Sequence, residues 1–115
     1  MSDRHIVLRG LVEFAKPIDE LRSSLSAFKS DIKDIPLTMN GDHFRNVVVR
    51  YMKGELSAQN VEDWATLIEG REDITIRSSN AEALREILHE LANPELTEKL
   101  SHQRAKEMVS LLNKI

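Results

Sequence analysis

The chain has 115 residues, 41% of them apolar and 30% charged, with a formal net charge of −3 and no cysteine. That composition belongs to one ordinary globular domain with its own core and excludes the low-hydrophobicity regime of disorder. Without cysteine there is no disulfide framework, thiolate metal site or thiol nucleophile, which fits a reducing cytoplasm, and so small a charge gives no basic field to gather nucleic acid.

The first residues hold Asp3, Arg4 and Arg9 around Ile6-Val7-Leu8, a run too short and too charged for the apolar segment of a signal peptide. No stretch approaches the roughly 20 apolar residues that span a bilayer, so neither export by that route nor a membrane is expected. Apolar residues recur instead at helical spacing, without sustained alternation of period two. Val7, Leu8, Leu11, Phe14 and Ala15 mark a first stripe; Ile18, Leu21, Leu25, Phe28 and Ile32 mark a second. Pro17 between them fits the first turn of a new helix, where its missing N–H costs nothing; a single kinked helix is the alternative. Ile35-Pro36-Leu37 breaks the pattern because a residue before proline is pushed out of the α region, and Thr38 or Asn40 can cap the next start.

Phe44, Val47, Val48, Tyr51 and Met52 form the third stripe, with Val49 off it as a lone apolar residue or contact point. Gly54 suits a left-handed stop, Ser57 caps a helix with the inward stripe Val61, Trp64, Ala65 and Ile68, and Gly70 ends it in the same manner. Ile74-Thr75-Ile76 is at most briefly extended, and two isoleucines do not make a sheet. Asn80 can cap a helix through Leu84, Ile87, Leu88 and Leu91 that Asn93-Pro94 terminates. Ser101 can cap a last one with Ala105, Met108, Val109 and Leu112 inward. The expectation is an all-α fold: one domain over residues 1–115, a compact bundle or array of five to six short helices.

Glu86 and His89 have a metal-binding spacing, but a carboxylate-bridged site needs a second such pair, and both side chains lie opposite the apolar stripe. His5, His43 and His102 fall in separate segments with no triad pattern, and there is no glycine-rich phosphate loop. No catalytic residue, metal or cofactor is therefore assigned, and the chain is not read as an enzyme. The turn Gly54-Glu55-Leu56-Ser57 between two helices resembles that of a DNA-binding helix-turn-helix. Gln59 and Asn60 suit adenine, yet Glu62 and Asp63 would sit among phosphates.

Between Gly54 and Asp73 stand Glu55, Glu62, Asp63, Glu69, Glu72 and Asp73 against Arg71 alone. Six carboxylates and one arginine leave this stretch at −5 and, with the chain at −3, the remainder at +2. Glu62 and Glu69, seven apart, share one flank of the Trp64 helix, with Asp63 on its outer face. A solvated helix face followed by a polar loop accounts for the charge without a function. The functional reading makes Glu62, Asp63, Glu69, Glu72 and Asp73 an acidic docking surface for a basic partner.

Three stretches, YMKGELSAQNVEDWA from Tyr51, EGREDI from Glu69 and ELANPEL from Glu90, resemble small helical bacterial proteins. The first is similar in style to helical immunity proteins that neutralise toxin domains. The resemblance covers residues 51 to 96 and implies a protein partner such as the toxic domain, a nuclease, used in contact-dependent growth inhibition. It implies a cytoplasmic inhibitor without catalytic residues, and it matches no individual partner-contacting residue to a motif. A small helical adaptor or structural protein, and a nucleic-acid regulator, stay open beside it.

Overall fold

The computed structural model describes residues 3–26, 37–71, 73–77 and 80–114. Within these, six helices form: α1 (Asp3–Val12), α2 (Ile18–Leu25), α3 (Gly41–Met52), α4 (Ala58–Glu69), α5 (Ala81–Ala92) and α6 (His102–Asn113). The all-α expectation holds in its main part. Phe28, Ile32 and Ile35-Pro36 lie outside the described residues, as does Glu72.

Local chemistry starts and stops these helices where the apolar stripes begin and end. Asn40 caps α3 by accepting the Asp42 N–H at 2.9 Å, while its own N–H is accepted by His43 Nδ1 at 3.0 Å. Ser57 and Asn60 close the same reciprocal box at α4, at 3.0 and 2.9 Å. Leu56 and Val61, in the positions of a hydrophobic staple, are both buried there. Ser101 accepts the Arg104 N–H at the start of α6. Asn80 occupies the N-cap position of α5 but makes no side-chain capping bond. Gly54 has φ +81°, the left-handed stop expected of it. Gly70 does not end α4 in that way: its φ of −82° continues the right-handed turn.

α1 ends on a residue that composition would not suggest. Phe14, at φ +48°, is the one non-glycine in the left-handed region among the described residues. Its N–H reaches the Leu11 carbonyl at 3.0 Å and the Ala15 N–H reaches Gly10 at 2.9 Å, the two bonds of a Schellman turn normally closed by glycine. The left-handed conformation costs an L-residue roughly 1–2 kcal/mol. Burial of the ring, 4% exposed, and three donors from neighbouring helices offset it. Trp64 Nε1 donates to the Leu11 carbonyl at 2.7 Å, Arg50 Nη1 to that of Phe14 at 2.9 Å, and Asn46 Nδ2 to that of Glu13 at 3.4 Å. The Arg50 guanidinium also lies 5.4 Å from the centre of the Phe14 ring. The turn swings Ala15, expected on the inward stripe, out to solvent.

Ile74-Thr75-Ile76 corrects the reading of that segment. It forms β2 (Ile74–Ile76), paired in parallel with β1 (Leu37–Met39) in the register Leu37 to Ile74 and Met39 to Ile76. The pair needs a partner far upstream and α3 and α4 as its crossover, so no local alternation could reveal it. The core lies between the helices. α3 packs on α6 and α4 on α5, and Trp64 meets Phe44 edge to face at 5.9 Å and 82°. No helix of the described residues is long and apolar enough to cross a membrane.

Trp64 is fully buried and Glu86 exposed, so their truncations should separate. Trp64→Ala is expected to cost about 3 to 5 kcal/mol and Glu86→Ala about half a kcal/mol or less, read from urea midpoints. A second expectation concerns His43. Burial holds its imidazole below the ordinary pKa of 6.5, against the opposing pull of Glu13 and Asp42. The unfolded chain therefore takes up this proton at higher pH than the folded one. The stability so contributed is complete above the unfolded pKa and lost as pH falls toward the folded value. The urea midpoint should fall between about pH 7.5 and pH 5, and His43→Gln, whose amide oxygen accepts the same Asn40 N–H, should lessen that fall.

Candidate functional site

Successive residues of a helix point 100° apart, so neighbouring carboxylates on α4 meet different surroundings. Asp63 is not on an outer face. It turns toward α2, where its side chain is 26% exposed, accepts from Gln59 Nε2 at 2.8 Å and stands 4.0 Å from Arg22 Nη2. Glu69 is exposed but leans on the end of α5, with Oε2 3.3 Å from His89 Nδ1 and Oε1 accepting from Asn93 Nδ2 at 3.3 Å. Asp73 is a clear correction to the acidic docking surface. It is 2% exposed and takes Arg71 in a bidentate pair, Nε and Nη2 each at 2.8 Å. Its carbonyl accepts the Leu37 N–H at 2.9 Å, so this residue shapes the turn into β2 and offers no charge to a partner. Of the five predicted carboxylates, one lies outside the described residues and the other four do not share one face.

Glu62 meets a different set of groups. It lines a groove of about 220 Å³ between α4, the end of α5, the connection 93–101 and α6. Val61, Leu91, Pro94, Leu100 and Met108 supply apolar walls, and Ala58 and Gln59 stand at the first turn of α4. Around them are Glu62, Glu90, Glu95 and Glu98 against Lys99. Glu90 is already committed, for Arg104 Nε and Nη2 donate to its two oxygens at 2.6 and 2.7 Å. That bond raises the Arg104 pKa further, so the guanidinium stays charged. Glu98 Oε2 also stands 3.8 Å from Arg104 Nε, so Glu62 and Glu95 remain as the acidic side of the mouth.

The connection is held in shape by bonds the sequence partly announces. Asn93-Pro94 stops α5; the Leu96 and Thr97 N–H groups return to the Asn93 carbonyl, and the Thr97 hydroxyl donates to the Asn93 and Glu90 carbonyls at 2.8 and 3.2 Å. At its far end the Tyr51 hydroxyl reaches the Leu100 carbonyl at 3.5 Å. Leu96, 78% exposed, is the most exposed large apolar residue among those described. Glu95, Glu98 and Leu96 were missed in the sequence because charge was counted along the chain. Their only signal was a lone leucine between glutamates after a helix-ending proline.

Gln59 binds Asp63 and Asn60 closes the α4 capping box, so the amides suited to adenine serve their own helix. His5 and His43, distant in sequence, line one cleft with Arg9, Glu13 and Asn40. Among the described residues no three histidine, aspartate or glutamate side chains converge as a metal site. Comparison with models of known protein families, with curated proteins and with solved structures gave no match.

The two classes of carboxylate should behave oppositely when neutralised. Asp73→Ala removes the bidentate acceptor of the Arg71 guanidinium, itself 11% exposed, and is expected to cost about 1 to 3 kcal/mol. Glu62→Gln at the groove should change stability by roughly half a kcal/mol or less. Urea denaturation of both variants checks the contrast.

Proposed function

We propose that this protein is an immunity-type inhibitor that binds and blocks a cognate bacterial toxin domain, a nuclease with a basic cleft. The observation that carries the reading is the mouth of the groove. There Glu62 from α4 and Glu95 and Glu98 from the 93–101 connection gather around a partly apolar groove, with Glu90, and at longer range Glu98, paired to Arg104. A nuclease collects phosphate with lysine, arginine and histidine, and carboxylates placed over the same cleft compete for that positive field. The inhibitor acts by occlusion in the cytoplasm, without chemistry of its own. The first of the stretches that resemble small helical bacterial proteins, YMKGELSAQNVEDWA from Tyr51, is similar in style to immunity proteins and supports the same partner class.

The test is co-expression with the toxin domain encoded beside it, scored by growth, with calorimetric titration of purified variants. The wild-type chain should protect the cells. Glu62→Lys/Glu95→Lys should fold normally and lose binding about a hundredfold or more, since like charges opposed at an interface cost several kcal/mol. Glu69→Lys, on the flank that faces His89 and Asn93, should bind within a few fold of wild type. Growth arrest despite the wild-type chain removes the inhibitor reading in favour of an adaptor.

A further inference from the structure

The groove is too small to enclose a partner element and well sized for one side chain. At about 220 Å³ it falls below the roughly 300–1,000 Å³ of sites that surround a whole small molecule. An aliphatic cavity of about 150 Å³ is enough for a benzene ring. Val61, Leu91 and Met108 lie at its floor and are almost wholly covered by the protein itself, at 0%, 5% and 0% exposure, so an entering side chain finds its apolar contact mainly on Ala58, Pro94 and Leu100 around them. Interfaces concentrate their energy at such points, where one large residue fills a desolvated pocket and polar contacts surround it.

We infer that this groove is the socket for a single large apolar side chain, aromatic or branched aliphatic, carried on a lysine- or arginine-rich segment of a protein partner. The inference rests on the inhibitor reading and specifies how the partner is gripped. Cationic flanks match Glu62 on one element and Glu95 on another. Leu96, next to Glu95 in the sequence and exposed, adds apolar surface to the same connection. A free amine would cover one carboxylate and leave the rest of this surface uncovered, whereas a peptide segment spans it.

Three acetylated, amidated peptides, KKWKK, KKSKK and EEWEE, are titrated into the isotope-labelled full chain and followed by amide NMR shifts, with tryptamine as the small-amine control. KKWKK should shift Ala58, Leu91, Leu100 and Met108 and bind at least about tenfold more tightly than the other three probes. Ala58→Trp places a ring at the mouth from an exposed first-turn position and should weaken KKWKK about tenfold or more without moving the urea midpoint. Equal binding of KKSKK, tryptamine binding as tight as KKWKK, shifts that map elsewhere, or no saturation at millimolar peptide would each overturn the socket. Growth assays keep the two readings apart. Protection retained by Ala58→Trp overturns the socket alone, whereas KKWKK seated in the groove of a chain that fails to protect cells supports the socket and removes the inhibitor.

Discussion

The indole N–H of Trp64 donates to the Leu11 carbonyl at 2.7 Å from a side chain with no solvent exposure, and the arrangement of the helices follows from that bond. A buried indole needs an acceptor, and the end of a helix has carbonyls to spare. Joining the two satisfies both and ties α1 to α4 across the core. It also fixes the rotation of α4 about its axis. With Trp64 held between Phe44 and the end of α1, Val61, Ala65 and Ile68 turn inward with it.

Once α4 cannot rotate, the fate of its carboxylates is set by their angle from Trp64. Asp63 meets Gln59 and Arg22, Glu69 meets His89 and Asn93, and Glu62 reaches the groove. Four arginines are spent inside the fold as well. Arg50 caps Phe14, Arg45 Nη2 donates to the Leu112 carbonyl at 3.2 Å, Arg71 holds Asp73 and Arg104 holds Glu90. A net charge of −3 understates what the groove presents, because Arg45, Arg50 and Arg71 are engaged elsewhere and Arg104 is held by Glu90, leaving Glu62 and Glu95 at the mouth against Lys99. This gives a modestly charged chain a locally acidic mouth.

Much of the fold was legible in order along the chain. Helix stripes, the Asn40, Ser57 and Ser101 caps, the Gly54 stop and the burial of Trp64 are all local facts, governed by residues within a turn or two of one another. The failures share one cause. Phe14 takes a left-handed conformation because distant donors hold it there, β2 forms because β1 is beside it, and Asp73 is buried because Arg71 and the strand turn enclose it. None of these can be seen from neighbours in sequence alone.

The candidate site divides along the same line. Sequence by itself determined the helical class, the boundaries of most helices and the presence of an acidic stretch around Trp64, since periodicity and capping depend on a residue's own helix. Tertiary structure decided which carboxylates could face a partner. It dispersed the predicted set, buried Asp73, and brought Glu62 beside Glu95 and Glu98 from a connection more than thirty residues away. The reason is that charge is summed along a chain, whereas a partner meets only those charges that packing leaves side by side and unpaired at one surface.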